Sequence, residues 1–211
     1  MKNTNGIRLM TVLLLLTGCA VGNKHTYNDV NADISIAGNS TVAMATHDQR
    51  SYVQNGDKPA DFVGLQRGGF GNPFDITTVS GNSLAQDFTE TIARSLASKG
   101  FQTTPVIVNY SDTAERVKTI LLHTGAQRLM LLTLYEWKSD TYTNTALIYD
   151  ARLEVFDENG KTIAQKSISG RDDLGGSALN PPAYAKKAIP VAFKEKIEIL
   201  LNDSDVSKAL E

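Results

Sequence analysis

Residues 127–137 constrain the fold more than any other part of this chain, because apolar side chains occupy both faces of any strand that they form. The two faces carry Leu129, Leu131 and Tyr135 on one side and Met130, Leu132 and Leu134 on the other. Strands of this kind are typical of the centre of a sheet that is covered on both faces. We therefore expect a central strand with a helix or a partner lying over each face.

Three segments have apolar residues at helical spacing, and they predict helices near residues 83–99, 112–124 and 183–201. Ser83 and Gln86 fit a capping box at the start of the first helix. Each segment has a single apolar stripe, so we expect the three helices to pack largely on one face of the sheet.

Alternation of apolar and polar residues predicts further strands at residues 40–46, 62–65, 104–110 and 143–156. Residues 157–160 read Asp-Glu-Asn-Gly, a strong turn sequence, so residues 161–170 should pair antiparallel with residues 143–156. The length of 211 residues suits one domain. The sequence therefore predicts a single-domain α+β fold with a mixed sheet, a C-terminal antiparallel hairpin and about three helices.

The start of the chain has the layout of a targeting segment. Lys2 and Arg8 precede an apolar run over residues 9–16. The last residue of this run begins the tetrapeptide Leu16-Thr17-Gly18-Cys19. As a helix this run would rise about 12 Å against roughly 30 Å of hydrocarbon, so it is too short to span a bilayer. The tetrapeptide resembles the lipobox of bacterial lipoproteins at all four positions.

That resemblance implies that the thiol of Cys19 accepts a diacylglycerol, that the peptide is cut before Cys19, and that the new amine is acylated, for example with palmitate. In that family an aspartate directly after the cysteine favours retention in the inner membrane. Ala20 at this position implies the outer membrane, facing the periplasm. The alternatives are an ordinary signal peptide followed by a chance cysteine, or a free thiol in a core helix.

The chain divides into three parts on this interpretation. Residues 1–18 are a lipoprotein signal peptide, residues 19–39 a lipidated tether, and residues 40–211 a periplasmic α+β domain. The tether is predicted because residues 21–39 are rich in small polar residues, with only isolated Val30 and two isoleucines.

Composition excludes several classes of function. Lys and Arg total 21 against 23 Asp and Glu, so no basic excess is available to neutralise the phosphates of a nucleic acid. A single cysteine cannot form an intramolecular disulfide, and with three histidines it does not give the usual zinc spacings. The sequence predicts no cofactor and no metal site.

Two motifs imitate catalytic or phosphate-binding loops. Gly68-Gly69-Phe70-Gly71 lacks a third glycine and no helix follows it directly, which disfavours phosphate binding. Ser83 lies in a sequence that loosely imitates a nucleophile elbow, but Ala85 replaces the second glycine and the one later histidine, His123, falls near a helix end. Helix capping by Ser83 and His123 is the simpler interpretation.

Carboxylates offer two further candidates. Glu136 lies between two aromatic residues near a strand end, where a raised pKa and acid-base chemistry are conceivable, but no partner can be placed. Asp172 and Asp173 are adjacent in sequence and therefore a poor cation cage. The favoured interpretation of Glu136 is exposure at a strand end. The favoured interpretation of Asp172 and Asp173 is a solvated loop.

Residues 67–81 are predicted to form a long loop, because glycines and Pro73 recur through it. Phe70 and Phe74 lie in this loop and are our candidate partner-contact residues. The competing interpretation, that both rings pack into the domain's own core, is the one we weigh slightly higher.

The triplet Asp48-Gln49-Arg50 after a short strand, and Gly100-Phe101 at a helix exit, are similar to the uncharacterised YajG-type outer-membrane lipoproteins. That family has no catalytic residues to carry over. The absence of a placeable nucleophile with its base, of a metal cluster and of a phosphate loop predicts a non-catalytic binding, assembly or accessory component. We expect it to be attached to the membrane by its lipid and to work with an envelope protein or a second copy, without nucleic acid. The alternative is a periplasmic hydrolase or small-ligand-binding enzyme.

Overall fold

The computed structural model describes residues 23–211, so the predicted signal peptide and Cys19 lie outside the described residues. Eight strands form one mixed sheet: β1 (Lys24–His25), β2 (Thr41–Asp48), β3 (Phe62–Arg67), β4 (Pro73–Thr78), β5 (Gln102–Pro105), β6 (Arg128–Thr141), β7 (Asn144–Asp157) and β8 (Thr162–Gly176). The helices are α1 (Ser51–Gln54), α2 (Leu84–Ala97), α3 (Ala114–Leu122), α4 (Pro181–Leu201) and α5 (Ser204–Leu210). The fold is a single mixed α+β domain.

Strand β6 is the centre of the sheet. Strand β7 pairs antiparallel along one edge of β6. The other edge is shared, because β2 pairs with residues 128–134 and β3 pairs with residues 139–141, both in parallel. Beyond them, β5 pairs with β2, and β4 and then β1 extend the β3 side, while β8 pairs antiparallel with β7.

Cover on both faces of β6, which its sequence requires, is confirmed. Met130, Leu132 and Leu134 are buried in a large core with apolar residues of α2, α4 and α5. Leu129 and Leu131 are buried in a smaller core on the opposite face, beneath α3. Tyr135 departs from the pattern, since it is 41% exposed.

Five helices are present in the described residues, against the expected three. The additional helices α1 and α5 are short, of 4 and 7 residues, and too brief to show a helical period in the sequence. The cap of α2 is as expected, with the Ser83 hydroxyl accepting a hydrogen bond from the Gln86 amide at 3.2 Å. Thr113 caps α3, so this helix begins at Ala114 and not at residue 112 as predicted.

The tether expected over residues 19–39 has to be shortened. Tyr27 and Ile34 are fully buried in the large core. The Thr91 hydroxyl donates to the Tyr27 carbonyl, and the Ser95 hydroxyl accepts from the Ala32 amide. The isolated apolar side chains thus fix this polar segment to the core, and α2 forms hydrogen bonds with its backbone at Tyr27 and Ala32. The domain therefore begins at β1 and not at residue 40.

The long loop expected over residues 67–81 is also wrong. Strands β3 and β4 form an antiparallel hairpin, and residues 68–72 make its turn. The Gly68 amide donates to the Asn72 carbonyl at 2.9 Å, and Gly71 has a φ of +83° that favours glycine. Pro73 and the glycines of the turn obscured the strand that follows, in which Ile76 and Thr78 are buried on one face.

The other predicted strands shift at their ends. The strand expected at residues 104–110 is β5, which ends at Pro105. The turn at residues 157–160 joins β7 to β8 in antiparallel pairing, and β8 continues to Gly176. This pair lies before α4 and is therefore not at the C-terminus.

Candidate contact surface

Asp48 and Arg50, part of the triplet singled out in the sequence, form a buried ion pair. Arg50 is 0% exposed and Asp48 is 2% exposed. The Arg50 Nε donates to Asp48 Oδ1 at 2.8 Å, and Nη2 donates to Oδ2 at 2.7 Å. Burial acts to lower the pKa of Arg50, but the hydrogen bonds and charge of Asp48, together with Tyr52, outweigh it and the pKa is raised. The guanidinium is therefore charged and paired.

The same guanidinium bridges the point where β6 changes neighbours. Arg50 donates to the carbonyls of Phe62 at 2.6 Å, Trp137 at 3.2 Å and Ala60 at 3.2 Å. The Trp137 carbonyl lies on β6 between the segments paired with β2 and with β3. One side chain thus donates to three backbone carbonyls around this point, and the Leu84 amide and the Tyr52 hydroxyl reinforce it at Ala60 and Trp137. This is a structural role.

Glu136 is held in a polar cluster beside this pair. Tyr52 donates its hydroxyl to Glu136 at 2.7 Å, and Lys138 forms an ion pair with Glu136 at 2.7 Å. Burial raises the pKa of Tyr52 well above its ordinary value, so its hydroxyl stays protonated and donates. The two oxygens of Glu136 are therefore engaged by a phenol and an ammonium group.

The remaining catalytic candidates lie apart from one another. Ser83 caps α2, and His123 is the C-cap residue of α3. Asp172 pairs with Lys196 at 2.5 Å, and Asp173 accepts a hydrogen bond from the Gly175 amide at 2.9 Å. Ser83, Asp172 and Asp173 each have a local partner, and no hydrogen bond joins Ser83 to His123 among the described residues.

His25 and Ser139 are a contact that sequence reasoning missed. The His25 Nε2 lies 3.1 Å from the Ser139 hydroxyl, and both residues are buried. Among the described residues, His25 Nδ1 has no hydrogen-bond partner. The pair is closed to solvent, which leaves no room for a substrate.

Burial lowers the pKa of His25 from 6.5 to about 4. Between these values the unfolded chain binds a proton that the folded protein does not, so stability falls as pH drops from 6.5 towards 4. We expect His25 to contribute a loss of about 2–3 kcal/mol between pH 7 and pH 4.5. Urea denaturation at both pH values should show a smaller loss for His25→Gln, and an equal loss in both proteins would contradict this account.

Asp87 does not confound that comparison. Burial raises its pKa to about 6, so between its ordinary value and 6 the folded protein holds the extra proton and stability rises as pH falls. The contribution has the opposite sign to that of His25. Because Asp87 is present in both the wild type and His25→Gln, it cancels in the difference.

Three loops lie together at one end of the sheet, and we call them the loop end: residues 68–72, 142–143 and 177–180. The Tyr142 hydroxyl donates to the Gly69 carbonyl at 3.3 Å. The Ser177 amide donates to the Thr143 carbonyl at 3.1 Å. An open cleft of about 330 Å³ separates the first two loops from the start of α4.

Each loop of the loop end exposes a large apolar side chain. Phe70 is 100% exposed, Leu179 is 98% exposed and Tyr142 is 47% exposed. Phe74, at 40% exposure, lies next to the first loop on β4. The rings of Phe70 and Phe74 are therefore not in the core, and the interpretation that we weighed higher from the sequence is wrong. Neighbouring exposed apolar groups of this kind are typical of a contact surface.

A polar cleft of about 510 Å³ lies directly behind the loop end. Arg67 forms two hydrogen bonds of 2.8 Å with the Asp140 carboxylate. These bonds hold the pKa of Asp140 below its ordinary value, and Arg171 on the other side of the cleft acts in the same direction. Charge is thus concentrated behind the loops.

Within residues 23–211, every helix is too short or too polar to cross a bilayer. The same residues contain no group of three or more His, Cys, Asp or Glu side chains in position to hold a metal ion.

No family model and no curated protein matches the sequence. The fold resembles several solved structures. One is a protein from Xanthomonas campestris of the family model DUF330, with 10% identity and a TM-score of 0.48 over 83% of this chain and 92% of that chain. Another is lipoprotein GNA1162 from Neisseria meningitidis, with 15% identity and a TM-score of 0.37 over 72% of this chain and 96% of that chain.

A third is the PelC dodecamer from Paraburkholderia phytofirmans, with 12% identity and a TM-score of 0.35 over 80% of this chain and 94% of that chain. At such identities and TM-scores these are likenesses in shape, and the function proposed below does not depend on them.

Proposed function

We propose that this chain is a periplasm-facing envelope lipoprotein, anchored in the outer membrane through Cys19, that acts as a non-catalytic binding, assembly or accessory component. The lipobox resemblance and Ala20 support the anchor and its membrane. The loop end supports the binding role and carries the proposal, because it gathers Phe70, Tyr142 and Leu179 in the open from three separate parts of the chain. The YajG-type resemblance remains a prediction.

A periplasmic hydrolase or ligand-binding enzyme is the alternative. It needs an accessible nucleophile beside a base, or convergent polar groups in an enclosed pocket. Ser83 gives its oxygen to the cap of α2, and Glu136 is paired with Lys138. The two clefts at the loop end are open, and in the larger one the Arg67 and Asp140 side chains are paired with each other, so the binding role is favoured.

Photo-cross-linking from position 70 in intact cells tests this proposal. A benzophenone amino acid at position 70 should capture a membrane component, either a lipid or a protein. The matched control is position 158, which is exposed in the β7–β8 turn at the opposite end of the β6–β7 pair. Capture at 158 but not at 70 would exclude the loop end as the contact surface.

A hydrolase screen of the purified protein completes the test. We expect no turnover above background with ester, amide or glycoside substrates. Reproducible turnover that is abolished in Ser83→Ala or Glu136→Gln would overturn the non-catalytic assignment.

A further inference from the structure

The direction of β1 fixes the side from which the N-terminal segment enters the domain. Strand β1 pairs in parallel with β4, with Lys24 opposite Thr77 and His25 opposite Thr78. Strand β4 begins at Pro73, directly after the turn that carries Phe70. Strand β1 therefore runs away from the loop end, and its first residue, Lys24, is the one nearer to that end.

The length of the segment before β1 places the anchor close to the same end. Five peptide units join Cys19 to Lys24 and span at most about 17 Å. Four strand residues separate the level of Lys24 from the start of β4 at Pro73, a distance of about 13 Å. A lipid on Cys19 is thus within reach of the level of the loop end, and it cannot hold the domain far from the bilayer.

The composition of the loop end suits a lipid interface. Residues 68–72, 142–143 and 177–180 contain no charged side chain, so placing them among lipid headgroups removes no ion from water. Aromatic residues such as Phe70 and Tyr142 are favoured at membrane interfaces, where the hydroxyl of a tyrosine stays with the polar groups.

Arg171 lies behind this uncharged surface, where it lines the polar cleft. Arg171 is exposed, and no hydrogen bond or ion pair of its side chain is found among the described residues. Long cationic side chains reach along an apolar surface to the phosphate level of a membrane. With the uncharged tip in the membrane, its apolar side chains meet the hydrocarbon and the free guanidinium of Arg171 behind them meets the phosphate groups.

We propose that the loop end lies against the phospholipid surface of the membrane that holds Cys19, with Phe70 and Leu179 inserted below the headgroups. This inference rests on the proposed lipid anchor and names the occupant of the proposed contact surface. It leaves the β7–β8 turn, with its charged residues Asp157 and Glu158, facing away from the membrane.

Fluorescence quenching in proteoliposomes tests the contact. Because the Cys19 sulfur carries the diacylglyceryl group in the proposed mature lipoprotein, Phe70→Cys supplies the one thiol that an environment-sensitive NBD dye can label. The protein is reconstituted in phosphatidylethanolamine and phosphatidylglycerol vesicles with and without doxyl-labelled lipid. Quenching by about twofold or more is expected at position 70, for a group roughly 5–10 Å below the headgroups. A dye at Glu158→Cys should be unaffected.

A second variant separates insertion from mere proximity. A dye at Leu179→Cys should be quenched in the wild-type background and lose that quenching when Phe70→Asp is added, because a carboxylate at the tip opposes insertion. Both positions are exposed, so these changes leave the fold intact. Flotation with the vesicles should be the same for all variants.

The outcomes distinguish this inference from the anchor on which it rests. Failure to float with vesicles would overturn the anchor. Flotation with equal quenching at 70 and 158 would overturn the lipid contact and leave the anchor in place. Energy transfer between position-70 dyes of two copies, without quenching by lipid, would show that a second copy covers the loop end and would also overturn the inference.

Discussion

Replacing Arg50 with methionine is expected to leave most of the protein unfolded. The change strands the buried Asp48 carboxylate, and breaking a buried ion pair by removing one partner costs about 3–5 kcal/mol. The Phe62 carbonyl also loses its donor, and an unsatisfied buried acceptor adds about 1–3 kcal/mol. The Ala60 carbonyl keeps the Leu84 amide at 3.0 Å, and the Trp137 carbonyl keeps the Tyr52 hydroxyl at 3.1 Å. The loss is still a large part of the whole stability of a domain, about 5–15 kcal/mol.

The matched control is Arg67→Met, which removes an arginine from an ion pair nearer the surface. The Arg67 side chain is 37% exposed, and a pair of this kind contributes about 0–1 kcal/mol. Far-ultraviolet circular dichroism and urea denaturation measure both variants. Arg50→Lys serves if Arg50→Met cannot be purified, because a single ammonium cannot reach the carboxylate and all three carbonyls. Arg50 variants as stable as the Arg67 control would contradict the structural role.

Replacing Cys19 with alanine is expected to release the protein from the membrane. The acyl chains of a lipoprotein contribute about 0.8 kcal/mol for each buried methylene, so their removal eliminates nearly all membrane affinity. The apolar side chains of the loop end bury far less and cannot replace the anchor. Cell fractionation should move the protein from the membrane pellet to the soluble fraction.

Ala20→Asp is the matched control for Cys19→Ala. It keeps the lipidated cysteine and, by the sorting pattern of bacterial lipoproteins, should move the protein to the inner membrane without releasing it. Density-gradient separation of the two membranes distinguishes the results. Cys19→Ala protein that remains in the membrane pellet would contradict anchoring through that residue.

The parts of the fold that the sequence predicts are those with a local period. The central strand β6 is recognisable because its apolar residues alternate without a polar face, and α2, α3 and α4 repeat apolar residues at helical spacing. The turn between β7 and β8 has a sequence preference of its own. Each of these signals is complete within a few residues of chain.

Other parts depend on contacts between distant residues and have no local signature. Tyr27 and Ile34 lie in a polar sequence, and only packing on α2 and α4 identifies them as core residues. The partners of Arg50 include carbonyls 10, 12 and 87 residues away. An acidic and a basic residue directly after a buried strand were nevertheless a usable signal for a buried ion pair.

The candidate site was predicted only in part. Phe70 and Phe74 were identified from the sequence, and both are exposed. Tyr142 and Leu179 were missed, because it is the pairing of β6, β7 and β8 that brings their loops beside the first loop. The sequence shows exposed aromatic candidates one loop at a time, whereas a contact surface is a property of the loops together.

The intact mass of the mature protein, extracted in detergent from the native host, tests the central claim most directly. The account predicts a chain that begins at Cys19 and carries a diacylglyceryl group on sulfur and an acyl group on its amine. Proteolytic fragments should place the added mass on the N-terminal peptide. A chain that begins elsewhere, or an unmodified Cys19, would contradict it.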